Sequence, residues 1–419
     1  MHTSVHILKS SACLIYQAEF GREFDVRLGK AIAVCAAVVL GASGCASAGV
    51  IPEDTIVIGL DEDSTGPGAS YSTIAGKTVR MTVDLINQAG GINGKQVELV
   101  VENDESSPTK TPSIIRKLVD HGSSAVILAT GSGSVLQAKS ILQQSKIPAI
   151  APVVLSDAFA SAPDNDYSFM IPNSLKQYAQ VYCGAFEKMG YKSLGILGDA
   201  SASIDGIIKT LRPALEKCAR VTGVEKAPVD AADITAQISR LAETEPDAIL
   251  VASIGGHFEI LAHNTLSKIT PQTQRFSLAS IGNQPASWAL ADPKALSGMV
   301  YMGSLSENNP RTAELRRKVQ AVKGPDYQLT AYDAQAYDAV MMLAEAIEIA
   351  GDHRDRTAVR DALQQVSALP ASFGQDGLTL SFSPQDHLAP DSLCGLVLVE
   401  FGEDNKPAHP WDSYQPPCG

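Results

Sequence analysis

An α/β fold of doubly wound parallel sheets is predicted by three features of the chain. Short apolar runs rich in Val, Ile and Ala alternate with longer segments whose apolar residues recur at helical spacing. Residues 56–104 contain a complete strand, loop, helix, turn and strand. Composition agrees, since 45% of the 419 residues are apolar and only 5% aromatic, enough for one large core or two medium ones.

That first unit sets the pattern. Ile56, Val57, Ile58 and Leu60 form the continuous apolar run that a parallel strand needs when helices cover both of its faces. Gly66, Pro67 and Gly68 interrupt it, and from Thr73 onward Ala75, Val79, Val83 and Ile86 share one helical face. Gly90 and Gly91 end the helix, Asn93 and Gly94 turn the chain, and residues 97–101 begin the next strand. A crossover of this kind is right-handed, which fixes the hand of the first sheet. The alternation continues with a helix over 108–121, a strand over 125–129, a Gly/Ser loop over 130–134, a helix over 135–146 and a strand over 147–151.

Around residues 167–173 the pattern resets, and a second series of the same kind follows. It comprises helices over 175–189, 204–220, 234–244 and 258–268, with strands at 194–197, near Val224, and at 248–252 and 276–279. A further strand is expected over 298–303 and an exposed basic helix over 311–322. The helix over 332–350 carries Ala336, Val340, Leu343 and Ile347 on one face, too apolar for solvent. Closing strands are expected at 379–382 and 396–401, then a Pro-rich tail that ends near Cys418.

The N-terminal region reads as an address. Arg27 and Lys30 precede the apolar run 31–40, and Gly41, Ala42, Ser43 and Gly44 lead into Cys45. A basic segment, a short apolar run and small residues describe a secretory signal, because the run is shorter than the ~20 residues a membrane span requires. The residues before Cys45 resemble a bacterial lipobox, which implies cleavage there and acylation of Cys45; the alternative is an ordinary signal with an incidental cysteine. Glu19, Glu23 and Asp25 are unusual in a leader, so translation starting near Val26 is a further alternative. The formal charge is −13, and loss of residues 1–44, with four basic and three acidic residues, makes the remainder slightly more acidic. That balance excludes nucleic acid and anionic surfaces as partners of the bulk surface.

Of the seven cysteines, Cys13 and Cys35 lie in the leader and Cys45 is the acylation candidate. Cys183, Cys218, Cys394 and Cys418 remain, and in an oxidising compartment they allow two disulfides in any of three connectivities. The local pairs Cys183–Cys218 and Cys394–Cys418 are the preferred reading. No CxxC motif or adjacent histidine supports a metal site, and no cofactor is expected.

With this organisation in view, the chain resembles the type I periplasmic binding proteins, in particular the branched-chain amino acid receptors of ABC importers. The resemblance covers residue 54 to the C-terminus. It is carried by DLINQAGGINGKQVELVVEND at 84–104, IIRKLVDHGSSAV at 114–126, PAIAP at 148–152 and AYDAVMMLAEAIEIAG at 336–351. It implies two Rossmann-like lobes with parallel sheets, joined by three crossovers, holding a ligand in the cleft between them. On that basis residues 1–44 are the signal peptide and 45–53 a tether. The first lobe is 54–172 with 304–374, and the second is 173–303 with 375–419. Partners implied are a small-molecule ligand, an ABC permease and, through Cys45, the membrane; a monomer outside the cytoplasm is expected.

Ligands bind beyond the carboxyl ends of parallel strands, where loops lead into helix N-termini. The loops so placed are 61–71, 130–134 and 152–157 in the first lobe and 199–205, 254–257 and 280–284 in the second. Candidate ligand-binding residues are therefore Ser64, Tyr71, Ser132, Gly133, Ser134, Val153, Val154 and Leu155, with Ser203, Ile254 and Ser280 opposite. By resemblance, Ser132 and Ser134 match a loop that binds an amino acid's carboxylate, and Tyr71 stands where an aromatic ring covers the ligand; the serines alternatively cap a helix. Other contacts depart from the family. Val153, Val154 and Leu155 replace a small residue followed by Thr or Ser, while Ser203 and Ile254 replace aromatics. Near Ser280 no carboxylate faces an ammonium, unless Glu259 does so. A buried ammonium without a counter-charge costs several kcal/mol, so the expected ligand is a small carboxylate or amide less polar than a standard amino acid.

Rival functions are few. The chain has no GxSxG, HExxH or P-loop motif; His257 and His263 are wrongly spaced to share a metal on one helical face, and the glycines near Gly66 lack a dinucleotide fingerprint. An enzyme is not expected. A membrane-anchored ligand sensor and an amino acid receptor are the alternatives to an importer's receptor for some other small molecule.

Overall fold

The computed structural model describes residues 54–418. The expected leader, the expected tether to residue 53 and Cys45 lie outside the described residues. Two sheets organise the rest. In the first lobe, β1 (Ile56–Glu62), α1 (Ala69–Gln88), β2 (Val97–Glu102), α2 (Thr111–Asp120), β3 (Ala125–Ala129), α3 (Ser132–Ser145), β4 (Ala149–Ala151) and β5 (Ser168–Met170) follow in order. Their strands form one parallel sheet in the order β2-β1-β3-β4-β5. Every residue of β1 and β3 is buried, as a sheet covered on both faces requires.

The second lobe contains α4 (Leu175–Met189), β6 (Ser193–Asp199), α5 (Ala202–Leu215), β7 (Arg220–Ala227), α6 (Thr235–Ala242) and β8 (Ala248–Ala252). It continues with α7 (His257–Ile269), β9 (Gln274–Ser277), the short α8 (Pro285–Trp288) and β10 (Val300–Gly303). The chain then returns to the first lobe for α9 (Pro310–Lys323), α10 (Ala331–Ala350), α11 (Arg356–Leu363) and the hairpin β11 (Leu369–Pro370) with β12 (Thr379–Leu380). It ends in the second lobe with β13 (Val397–Phe401) and β14 (Pro407–Pro410). The second sheet runs β14-β13-β10-β9-β8-β6-β7, parallel except that β13 and β14 are antiparallel additions at one edge. Ala336, Val340, Leu343 and Ile347 of α10 are buried in the core shared with Ala75, Val79 and Val83 of α1.

The three passages between lobes lie side by side and are stitched together. Asn173, on the first, donates its amide to the Ser392 carbonyl on the third at 2.9 Å. The Gly374 N–H donates to the Ser304 carbonyl at 2.7 Å, and the Gln375 N–H to the Cys394 carbonyl at 2.8 Å. Gly395 is needed at this crossing, because a Cβ there would stand 2.0 Å from Asn173 Oδ1.

Several boundaries differ from the sequence reading. Helix α1 begins at Ala69, not Thr73, since Gly68 serves as its N-cap, and α3 begins at Ser132 inside the expected loop. The strand near Val224 spans 8 residues. Leu378, Leu380, Phe382 and Ala389 pack into the first lobe's core, so the chain crosses to the second lobe after residue 389 and not at 375. The Pro-rich tail supplies an unexpected strand, which its edge position permits because an outer proline leaves no ladder donor unpaired. Among the described residues, no helix is long and apolar enough to cross a membrane.

Cys183 is bonded to Cys218 and Cys394 to Cys418. The tail is held additionally by Trp411, which packs on Phe276 with ring centroids 5.7 Å apart, and by Gln415, whose amide bonds both the N–H and the carbonyl of Leu398. The Cys394→Ser/Cys418→Ser double variant is expected to lose about 3 kcal/mol of unfolding free energy by the loop-entropy relation. In hydrogen exchange its residues beyond 412 should lose protection before β13 does; simultaneous loss would show that the disulfide, and not Trp411 and Gln415, holds β13 and β14.

Candidate functional site

The carboxyl ends of the two parallel sheets supply loops to a cavity of about 240 Å³ between the lobes. First-lobe walls come from Pro67, Gly68 and Tyr71 after β1, Ser106 and Pro108 after β2, and Gly131 and Ser134 at the start of α3. Ser201, Ala202, Ser203, Val229 and Ile254 close it from the second lobe. Helix α3 gives the site its polarity. Its N-cap is Gly131, no side chain caps it, and among the described residues the hydroxyls of Ser132 and Ser134 make no hydrogen bond. The capping alternative for these serines is therefore set aside by the structure. The Gly133 N–H instead donates across the cleft to Ser203 Oγ at 3.3 Å, so an oxygen of the second lobe stands at the positive end of a first-lobe helix.

Tyr71 lies on the first turn of α1, 7% exposed, against Tyr332 on the first turn of α10, with ring centroids 6.1 Å apart. Burial, then the nearby carboxyl of Asp63, pushes the Tyr71 phenol well above its ordinary range, so it remains a hydrogen-bond donor at neutral pH. Gly131 makes room for it. A Cβ on Gly131 would stand 2.7 Å from Tyr71 Oη and 2.9 Å from Ser203 Oγ.

Among the described residues, no acidic or basic side chain lines this cavity. Asp63 sits behind it, with Oδ1 accepting from the Gly66 N–H at 2.7 Å and Oδ2 accepting from the Ser106 hydroxyl. Asp199 accepts from the N–H groups of Ser201 and Ile254 at 2.9 and 2.8 Å. These carboxylates shape the loops. Glu259, the residue that could have supplied a counter-charge, is wholly buried within α7, 3.9 Å from His263 Nε2, and desolvation raises its pKa from 4.5 to about 8. It is largely neutral at pH 7 and does not reach the cavity.

The structure thus gathers Tyr71, Ser134, Ser203 and Ile254 around one space, with Gly133 bonded to Ser203 and Ser132 buried next to it in α3. Ile254 packs against the cores of both lobes. Val153 and Val154 are core residues on the two sides of the first sheet, and Leu155 packs on the second lobe. Ser64 is exposed and outside the cavity; its N–H donates to Asn103 Oδ1 at 3.1 Å. The Ser280 hydroxyl is committed to the Ser253 carbonyl at 2.9 Å. Sequence reasoning missed Ser106, Val229 and Tyr332. The first two follow β2 and β7, strand ends to which the carboxyl-end rule applies equally.

A model of the periplasmic binding protein family matches residues 55–393. The chain belongs to the periplasmic binding protein family. This binding protein is 23% identical over 345 residues to a Leu/Ile/Val-binding protein homolog of Brucella melitensis, covering 81% of this chain and 90% of the relative. It is 25% identical over 322 residues to the leucine-, isoleucine-, valine-, threonine- and alanine-binding protein of Pseudomonas aeruginosa, covering 74% and 82%. Among solved structures, a type 1 periplasmic binding protein from Bordetella pertussis superposes with a TM-score of 0.73 at 21% identity, over 83% of this chain and 97% of that one. The branched-chain amino acid transporter substrate-binding protein LivJ of Streptococcus pneumoniae, solved with isoleucine, gives 0.71 at 21% identity, over 84% and 97%. The two-lobed α/β architecture of the binding protein is that of these structures.

Two outcomes follow for the site. Gly131→Ala, at a backbone φ of −77° that any residue adopts, should melt within a few degrees of wild type yet lose ligand-induced stabilisation, because its methyl group occupies the space between Tyr71 and Ser203. Wild-type ligand response in this variant would place the ligand elsewhere. For Glu259, the unfolded chain releases its proton near 4.5 whereas the folded one keeps it to about 8, so its contribution falls as pH rises across that interval. The slope is at most ~1.4 kcal/mol per pH unit. Glu259→Gln should therefore show a flatter dependence of the urea midpoint on pH between about 5 and 8; parallel curves would contradict the assignment.

Proposed function

We propose that this binding protein is the extracytoplasmic receptor of an ABC importer, anchored through an acylated Cys45, and that it captures a small carboxylate or amide less polar than a standard amino acid. The observation that carries this reading is the interlobe cavity itself, whose polar lining among the described residues consists of hydroxyl and N–H groups with no charged side chain. An uncapped helix N-terminus at α3 favours a carboxylate or a carbonyl oxygen, which would replace Ser203 Oγ as acceptor of the Gly133 N–H. An α-ammonium would enter without a counter-charge. The volume of about 240 Å³ is below the ~300–1,000 Å³ usual for drug-sized ligands, so the occupant is small. Contacts from both lobes exist only when the lobes are closed, so ligand selects the closed form, and an importer can recognise that form. The role is binding, without catalysis.

The amino acid names of the relatives in Brucella and Pseudomonas support a second reading, in which leucine or a related amino acid is the ligand. A thermal-shift comparison separates the two. Leucine, valine, 4-methylpentanoate and 3-methylbutanamide are titrated against wild type and Gly131→Ala. At 100 times its dissociation constant a true ligand adds about 2.7 kcal/mol. A carboxylate or amide lacking the α-ammonium is expected to give the largest wild-type shift, and Gly131→Ala to lose it. Leucine or valine giving the largest shift would establish the amino acid reading.

A further inference from the structure

A second space walled by both lobes, of about 690 Å³, shares no lining residue with the cavity beside Tyr71. It lies along the crossover 304–308. The second lobe contributes Pro285, Trp288 and Tyr301, while α9 and the loop before α10 face them from the first lobe with Gln320 and Gln328. The volume is within the range usual for small-molecule sites, which favour domain interfaces.

Its lining is built for a ligand in three respects. Gly282 leaves room for the Tyr301 ring, since a Cβ there would come within 1.8 Å of it. Ser304 is 3% exposed and Tyr301 7% exposed, and among the described residues neither hydroxyl has a hydrogen-bond partner. Burial also holds the Tyr301 phenol above its ordinary range, so it stays a donor. Charge is the third respect. Arg316 is matched by Glu307 at 2.9 Å, whereas the exposed Lys406 has no side-chain partner among the described residues, and the exposed His409, bonded to the Pro410 carbonyl, has the carboxyls of Asp412 and Glu400 near it. Of the acidic and basic side chains that line the space, Lys406 is thus left unmatched at the rim of an apolar wall of Pro285, Trp288 and Tyr301.

We infer that this cavity is a second ligand site, which takes a small monocarboxylate with a flat apolar body: the ring lies on Trp288 and Tyr301, and the carboxylate meets Lys406 and the hydroxyls of Tyr301 and Ser304. Because the walls belong to both lobes, occupancy biases the same opening and closing that governs the Tyr71 cavity, and each ligand changes the affinity of the other by the same factor. That coupling, though not the binding, rests on the function proposed for the Tyr71 cavity.

Tryptophan emission supplies the test, since the chain has two tryptophans and Trp411 is 5% exposed in the second lobe's core. Purified protein is titrated with phenylacetate, benzoate and the neutral phenylacetamide, by emission and by calorimetry. Either carboxylate should bind saturably in wild type and in Gly131→Ala. Trp288→Phe should keep the heat but lose the emission change. Lys406→Gln, Tyr301→Phe and replacement of phenylacetate by its amide should each weaken binding about tenfold, or ~1.4 kcal/mol. Failure of both carboxylates to bind, equal affinity for the amide, or loss of binding in Gly131→Ala would overturn the assignment. Failure of the Tyr71 reading alone would leave these titrations unchanged and remove only the mutual effect of the two ligands.

Discussion

The contact on which the rest depends is the meeting of the α3 N-terminus with Ser203 from the opposite lobe. A helix starting without a side-chain cap leaves N–H groups directed at whatever lies beyond it. Here another lobe lies beyond it. In both sheets the parallel strands deliver their loops at one end, and the three crossovers, stitched through Asn173, Ser304 and Gly374, hold those two ends facing each other. A single-lobe protein with the same α3 would offer its N–H groups to water. The two-lobed arrangement turns them into the polar end of an enclosed space.

Electrostatics then narrows the chemistry. Asp63 and Asp199 lie close to the cavity, yet each already accepts hydrogen bonds from loop N–H groups, and burial raises the pKa of both. They fix the loops that carry Gly68, Ser201 and Ile254. Glu259 is deeper still and mostly neutral. The acidity of the chain as a whole therefore says little about its cleft, and the lining must be considered residue by residue. The space along 304–308 shows the converse, an unmatched lysine, Lys406, at the edge of a cavity in an acidic protein.

Much of this was legible before the structure. The apolar runs at 56–60, 125–129 and 248–252 have the pattern of buried parallel strands and form β1, β3 and β8, and the carboxyl-end rule points to the loops of Tyr71, Ser134, Ser203 and Ile254, which line the interlobe cavity. What escaped did so for identifiable reasons. Ser106 and Val229 follow strands with weak, half-exposed patterns, so their loops drew no notice. Tyr332 sits on a helix whose apolar stripe announced only a core role, and no local signal shows that its first turn meets Tyr71. Residues 378–389 went to the wrong lobe because isolated apolar positions state that a segment is buried without saying against what. The second interlobe space depends on three separate passages of the chain, and no one of them carries its signature.

The most direct measurement is amide hydrogen exchange of the binding protein with and without saturating 4-methylpentanoate, followed at 66–71, 106–108, 131–135 and 201–204. Protection gained together in all four segments, from both lobes, is the result expected of a ligand held between α3 and α5 with the lobes closed over it. Protection confined to one lobe, or none in any segment, would contradict the account.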